Sequence, residues 1–137
     1  MHGDAHGCLL FKVADFGLSK AQESMDDVSE LRGTLPYMAP ELVCGTLGSV
    51  TERCDVWSFG VCLWEMLTLT LPHSALSYQQ IMAGLASGSL RLEFPEWCEQ
   101  EWQSLVEACT DTNPSSRPTF AAIKRQLEIM KALLEPN

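Results

Sequence analysis

The stretch from residue 52 to residue 69, ERCDVWSFGVCLWEMLTL, is apolar on every face of the helix that it predicts. Its apolar positions are Val56, Trp57, Phe59, Val61, Cys62, Leu63, Trp64, Met66 and Leu67. A helix that is apolar all round is buried by its surroundings, so we expect a central helix over residues 51–71 with Thr51 as its N-cap. The rest of the chain has to pack around this helix, and we place Cys62 and Met66 in the core as well.

Three more helices are predicted after the central one, within residues 77–135. Ser77 is a suitable N-cap for YQQIMAGLA, and Gly88 is a suitable stop. The segment from Glu96 to Cys109 predicts the next helix. Thr119 caps the last, in which apolar residues recur at steps of three and four: Phe120, Ile123, Leu127, Met130 and Leu134.

The segment before the central helix is mostly irregular. Cys8 to Ala14 is rich in strand-forming residues and predicts one short strand. Ser19 to Gly33 is polar without a period, which indicates an exposed loop, and Glu41 to Cys44 predicts a short turn of helix. The predicted fold class is mainly α, with a short β-strand remnant, an ordered loop and about four helices around the central apolar helix.

Charge and cysteine content exclude several classes of partner. The net charge of −9 disfavours nucleic acid and anionic membranes, because both would repel the chain. Six cysteines, at 8, 44, 54, 62, 98 and 109, include no C-x-x-C pair, which favours reduced, packed thiols in an intracellular protein. No segment resembles a signal peptide or a membrane span, so we expect a soluble, cytoplasmic protein.

The alternation His2, Asp4, His6 is the one pattern that suggests a metal site. Metal ligands need a fixed scaffold, whereas this is a glycine-containing chain start. A turn is the favoured interpretation, and a metal-binding α module is the alternative.

Four motifs occur in order along the chain: ADFGLS at 14–19, GTLPYMAPE at 33–41, DVWSFGV at 55–61 and NPSSRPTF at 113–120. In this order and spacing the chain resembles the C-terminal lobe of a eukaryotic protein kinase, from the D-F-G motif onward. The stretch with Thr34 makes it most like the tyrosine-kinase-like group of serine/threonine kinases. On this basis residues 1–137 are a partial kinase domain, with a strand or hairpin over 1–14 and an activation segment over 15–41.

The resemblance implies roles at the nucleotide site and the substrate site. Asp15 would hold Mg²⁺ against the ATP phosphates, Phe16 would join the apolar stack between the lobes, and Gly17 would let the backbone turn. The plain alternative for Asp15 is a turn residue. The substrate groove would include Thr34, Leu35, Pro36 and Tyr37. Cys62 and Met66 would support the adenine-side stack, although plain core positions are the favoured interpretation.

The resemblance also implies structural residues and phosphorylation sites. Glu41 would pair with Arg117 across the lobe, Asp55 would accept hydrogen bonds from a catalytic-loop backbone, and Trp57 would be structural. Candidate phosphorylation sites are Ser19, Ser24 and Ser29. Glu30 lies four residues before Thr34, where many kinases carry an activating phosphate. One interpretation of Glu30 is a charge that imitates this phosphate, and the favoured one is a solvated acid in an acidic loop.

The 137 residues contain no G-x-G-x-x-G, no V-A-I-K-like lysine and no H-R-D-x-x-x-x-N. Phosphoryl transfer depends on positioning by those groups, so we expect no catalytic residue and no kinase activity in this chain alone, although the parent kinase would use ATP and Mg²⁺. Expected partners are a protein substrate or a regulatory kinase, with an exposed apolar flank that promotes association. The alternative is a catalytically dead kinase lobe that acts as an interaction or scaffold module.

Overall fold

Five α-helices and one pair of two-residue strands form the regular structure of the described residues. The computed structural model describes residues 2–3, 9–19, 34–44 and 51–134. Strands β1 (His2–Gly3) and β2 (Leu9–Leu10) pair antiparallel, with His2 opposite Leu10. The helices are α1 (Pro40–Cys44), α2 (Arg53–Thr68), α3 (Tyr78–Ser87), α4 (Gln100–Cys109) and α5 (Phe120–Leu134). The predicted mainly α fold class with a small strand remnant is confirmed.

Local hydrogen bonds explain where the helices begin and end. Ser77 and Gln80 form a capping box at α3: Gln80 N donates to Ser77 Oγ (3.3 Å) and Ser77 N donates to Gln80 Oε1 (2.8 Å). Gly88 ends α3 with φ 65°, which a residue without Cβ adopts at little cost. At α5, Ala122 N donates to Thr119 Oγ1 (3.1 Å). These three predicted signals act as expected.

The central helix is shorter than the predicted 51–71. It begins at Arg53, whose amide donates to Thr51 Oγ1 (3.3 Å). It ends at Thr68, because Leu69 takes a left-handed conformation (φ 55°) and closes the last turn with a bond from its amide to Glu65 O (2.8 Å).

Two other predicted boundaries were wrong. The strand expected over 8–14 covers only Leu9–Leu10, and Phe11 and Val13 follow it as irregular, exposed residues. The helix expected from Glu96 begins at Gln100, because a turn precedes it in which Cys98 N donates to Pro95 O (2.9 Å). In both cases the types of the side chains did not indicate where the regular backbone begins or ends.

Helix α2 separates two clusters of buried side chains. On one side Cys54, Trp57 and Val61 pack with the 34–39 segment and with Ile81 and Leu85 of α3. On the other side α2 packs with α4 and α5 through Val56, Leu63, Trp64, Leu105, Val106, Cys109, Ile123 and Met130. The central position predicted for this helix is therefore correct.

One stripe of α2 stays open, contrary to the expectation that Cys62 and Met66 are core residues. Both are exposed, Met66 to 62%, as are Asp55 on the same helix face and Leu69 just after the helix. Positions 55, 62 and 66 share one helix face, and the described residues leave it uncovered. These three residues and Leu69 are the open stripe of α2. No helix of the described part is long and apolar enough to cross a membrane.

Candidate functional site

A buried arginine in the turn before α5 joins α1 to the start of α2. Arg117 is 2% exposed. Its Nη1 and Nη2 donate to Glu41 Oε1 and Oε2 at 2.7 and 2.8 Å, a two-pronged pair across 76 positions of sequence. Planar guanidinium and carboxylate groups match in this geometry. The fork holds α1 against the C-terminal part of the chain.

The remaining donors of Arg117 are also satisfied. Nη1 donates to Arg53 O (2.8 Å) and Nε to Asp111 O (2.8 Å). Arg53 in turn donates from Nη1 to Arg117 O (2.6 Å). The guanidinium carbon lies 5.1 Å from the centre of the Trp57 ring, within cation–π distance. A buried charge needs partners of this kind to offset its lost hydration.

The Trp57 indole has one feature that the sequence did not indicate. Its side chain is buried, and its Nε1 has no hydrogen-bond partner within the described residues. The ring therefore contributes through apolar packing and through its contact with Arg117.

The predicted groove residues Thr34 to Tyr37 lie along α2. Leu35, Pro36 and Tyr37 form a 3₁₀ turn in which Tyr37 N donates to Thr34 O (2.9 Å). Ser58 Oγ donates to Tyr37 O (2.8 Å), so α2 holds this turn by its main chain. Leu35 is buried, Pro36 and Tyr37 are half-buried, and Thr34 is exposed.

Tyr37 also bonds to the one acidic side chain within the apolar part of α2. Its hydroxyl donates to Glu65 Oε2 at 2.7 Å. The bond to Glu65, with burial and the charge of Glu65, raises the pKa of Tyr37 to about 12. Tyr37 is therefore a neutral donor at physiological pH, and the bond fixes its ring against the helix.

Asp15, Phe16 and Gly17 form an exposed turn. Asp15 has φ 63° and precedes a 3₁₀ turn over Phe16–Leu18, and Ser19 N closes this turn on Phe16 O (3.0 Å). Among the described residues, the left-handed conformation falls on Asp15, Leu69, His73 and Gly88 but not on Gly17. The backbone turn expected at Gly17 is thus made by Asp15 instead. Phe16 is 66% exposed, so its expected stacking partners are not among its neighbours here.

Asp55 lies on the open stripe of α2. Partial burial and the nearby Glu52 raise the pKa of its carboxyl. The side chain remains available as an acceptor, and this geometry is compatible with its expected role. The candidate phosphorylation site Ser19 is exposed, whereas Ser24, Ser29 and Glu30 lie outside the described residues.

The residues that the structure describes do not by themselves fit a Mg²⁺ ion. Asp15 contributes one exposed carboxylate, and the described side chains include no group of three His, Cys, Asp or Glu that could hold a metal. Hard divalent cations take several oxygen ligands. The His2, Asp4, His6 pattern falls on side chains outside those described.

Sequence reasoning missed three residues of this region: Arg53, Ser58 and Glu65. Arg53 and Ser58 bond to main-chain carbonyls of distant segments, which leaves no signal in a sequence. Glu65 did leave a signal in the sequence, because an acidic residue inside an apolar helix needs a hydrogen-bond partner. In the structure that partner is Tyr37.

Comparisons with known proteins agree with the motifs. The family described as "Protein tyrosine and serine/threonine kinase" matches residues 6–127. Mouse mitogen-activated protein kinase kinase kinase 10 is 36% identical over 122 residues, which are 89% of this chain and 13% of that protein. Rat mitogen-activated protein kinase kinase kinase 12 is 36% identical over 121 residues, 88% of this chain and 13% of that protein.

A Drosophila melanogaster mitogen-activated protein kinase kinase kinase is 34% identical over 117 residues, 85% of this chain and 10% of that protein. The matched part of the chain spans only 10–13% of the length of these curated relatives. The family match covers both the fork and the groove segment, and these relatives are all mitogen-activated protein kinase kinase kinases by name. The chain therefore belongs to the protein kinase family, in which it corresponds to the C-terminal lobe and is most like the tyrosine-kinase-like group.

Proposed function

We propose that this chain is the substrate-side part of a serine/threonine protein kinase that transfers the γ-phosphate of ATP to serine and threonine hydroxyls of proteins. The fork between Arg117 and Glu41 carries the proposal, because it fixes the end of the segment that contains Thr34 to Tyr37. Ser58 and Glu65 hold the same segment from α2. A groove of this kind has to be rigid to position a peptide hydroxyl.

The proposal gives each predicted residue a place in the complete enzyme. Thr34 to Tyr37 would line the substrate groove, and Asp15 would be one of several ligands to Mg²⁺ bound with ATP. Asp55 would accept hydrogen bonds from a catalytic loop, and the exposed Ser19 would be a phosphorylation site beside Ser24 and Ser29. The expected setting is cytoplasmic, with a protein substrate or a regulatory kinase as the partner.

We also propose that this chain alone neither binds Mg-ATP nor transfers phosphate. Asp15 offers one exposed carboxylate. The 137 residues contain no glycine-rich loop, no paired lysine and no H-R-D segment that would complete a nucleotide site with it. Positioning by such groups accounts for roughly 7–11 kcal/mol of a barrier. Their contribution is missing from this polypeptide.

Calorimetry with Mg-ATP on the purified chain tests this proposal, with Asp15→Ala as the matched control. We expect no saturable binding up to about 1 mM nucleotide, a concentration at which even a weak site of ~4 kcal/mol would show. A parallel assay should find no phosphate on a generic basic protein. Micromolar binding that Asp15→Ala abolishes would contradict the proposal.

The alternative function is a catalytically dead kinase lobe that binds another protein. The open stripe of α2 favours it, because Met66 and Leu69 are 62% and 89% exposed. The coding sequence upstream of Met1 discriminates between the two functions. An in-frame H-R-D-x-x-x-x-N within a few tens of codons supports the kinase part, and a stop codon there supports the dead lobe.

A further inference from the structure

A groove with a volume of about 550 Å³ lies beyond the C-terminal end of α2. One wall is the connection from α2 to α3, including Leu71 and Leu76, and the other is the connection from α3 to α4, including Phe94 and Trp97. It shares no lining residue with the Thr34 to Tyr37 segment. Its volume is in the range of specific binding pockets.

The base and walls of the groove are held by hydrogen bonds. Trp64 is 8% exposed and its Nε1 donates to Glu93 O (2.9 Å), which ties one wall to α2. Leu76 N donates to His73 O (2.9 Å) and closes the turn that forms the other wall. The groove is therefore preformed, which lowers the entropy cost of binding.

Large apolar side chains stand exposed around this groove. Trp97 is 65% exposed, Leu71 is 64% exposed and Leu76 is 38% exposed. Single exposed apolar residues are ordinary, but a group of them around one cavity marks a binding surface. Tryptophan in particular is enriched where binding energy concentrates.

The charges around the groove indicate which kind of partner it binds. Residues 92–116 contain six acids, Glu93, Glu96, Glu99, Glu101, Glu107 and Asp111, and no lysine or arginine. Glu93 lines the groove. The cation Arg91 also lines it, and its Nη1 donates to Gly88 O and Leu90 O (both 2.7 Å), bonds that leave its positive charge in place. Within the connection from α3 to α4, three exposed acids, Glu93, Glu96 and Glu99, outnumber this cation.

The neighbouring imidazole does not offset this negative charge. Burial lowers the pKa of His73, which lines the same groove, so the ring is neutral at physiological pH. A cationic segment is attracted to this surface, whereas an acidic one is repelled.

We propose that this groove docks a basic protein segment that inserts one bulky apolar side chain beside Trp97 and places lysines or arginines against Glu93 and Glu96. The docking requires neither nucleotide nor phosphate transfer. It can therefore hold for a kinase part and for a dead lobe alike.

Fluorescence anisotropy with labelled nonapeptides tests the proposal on the purified chain. The probe set has tryptophan, leucine or phenylalanine at the centre and two lysines or arginines on each side. Matched sets carry glutamate in the flanks or serine at the centre. We expect the basic, apolar-centred set to bind at least about tenfold more tightly than either matched set, with affinity that falls as salt rises.

Substitutions in the chain test where the peptide binds. Trp97→Ser and Leu71→Ser should each weaken it about tenfold, and both residues are exposed enough that the fold should survive. Glu93→Gln with Glu96→Gln should reduce the salt dependence. Leu133→Ser, at a residue 77% exposed on α5, and Glu128→Gln are the controls and should change nothing.

Any of four results would overturn the proposal. One is no binding by any peptide of the basic set up to about 1 mM. Another is equal binding by the glutamate-flanked set, or binding that Trp97→Ser and Leu71→Ser leave unchanged. The last is a dimer in solution that Trp97→Ser dissociates, because a second copy of this chain would then occupy the groove.

Discussion

At the scale of single residues, Arg117 is the most constrained side chain of the described part. It is buried, and it bonds to one carboxylate and two main-chain carbonyls from three separate segments. Such a group stabilises little relative to an apolar core but is costly to break, because the partner left behind is a buried charge or an unpaired carbonyl.

The substitution Glu41→Gln is expected to lower the free energy of unfolding by about 3–5 kcal/mol, since it leaves the charge of Arg117 unpaired. Urea denaturation measures this loss. The control is Lys124→Gln, which removes an exposed pair with Glu128 at 3.8 Å and should cost no more than about 0.5 kcal/mol. Equal effects of the two substitutions would show that the fork is not buried in solution.

The cysteines differ in reactivity because of burial. Burial raises the pKa of Cys54 and of Cys109 to about 11, from an ordinary value of 9.0. The five described cysteines are free thiols. At pH 8 iodoacetamide should modify the exposed Cys44 rapidly and Cys54 and Cys109 only after addition of urea, as measured by mass spectrometry.

The same thiols predict a pH dependence of stability. Their pKa is raised in the folded state, so their contribution is complete below pH 9 and is lost as the pH rises from about 9 to 11. The midpoint of urea denaturation should fall over that interval. A midpoint that stays constant from pH 8 to 11 would contradict the burial of both thiols.

At the scale of elements, the close approach of α2 and α4 depends on Gly60. A Cβ at this position would lie 2.6 Å from Cys109 Cβ and 2.9 Å from Thr110 Cγ2. Glycine is normally unfavourable inside a helix. Here it lets two helices pack at a distance that alanine does not permit.

Gly60→Ala should therefore destabilise the chain by about 1–3 kcal/mol although alanine favours helix. The matched control is Gly84→Ala in α3, where the nearest atoms, at 3.1 and 3.2 Å, belong to the side chain of Leu90. Its loss should be smaller, because a leucine side chain can shift. The melting temperatures of both variants test this difference. A Gly60→Ala variant that is more stable than the parent chain would mean that α2 and α4 pack more loosely.

At the scale of the whole molecule, apolar side chains of the described residues are exposed in other places than the groove beside Trp97. They include the open stripe with Met66 and Leu69 and the segment after β2, where Phe11 and Val13 are 82% and 83% exposed. A domain of this size has a stability of only ~5–15 kcal/mol. Surface of this kind lowers that stability and favours association.

We expect the purified chain to associate as its concentration rises and to bind a hydrophobic dye. Light scattering coupled to gel filtration measures the mass at several concentrations. Met66→Gln with Leu69→Gln should reduce the association, and Leu133→Gln on α5 serves as the control. A monomer at every concentration, with a sharp cooperative melt, would contradict this expectation.

Much of the fold follows from neighbours in the chain. Ser77, Gly88 and Thr119 act through hydrogen bonds and backbone angles within one helical turn, so the sequence by itself determined these ends. Continuous apolar patterning placed α2 at the centre. The ordered motifs determined the family, because they keep their spacing along the chain.

The boundaries and the exposed surfaces depended on the rest of the molecule. Apolar spacing cannot tell that one stripe of α2 stays open, since the same side chains would suit a covered face. The turn after Pro95 and the left-handed conformation of Asp15 are features of the backbone. The spacing of apolar residues does not predict them.

The tertiary structure alone decided the long-range contacts. The resemblance implied that Glu41 pairs with Arg117, but the carbonyls of Arg53 and Asp111 join that site only in the folded chain. The contact of Gly60 with Cys109 and the groove beside Trp97 likewise join residues far apart in sequence. Periodicity and capping depend on local chemistry, whereas such contacts depend on how the helices pack.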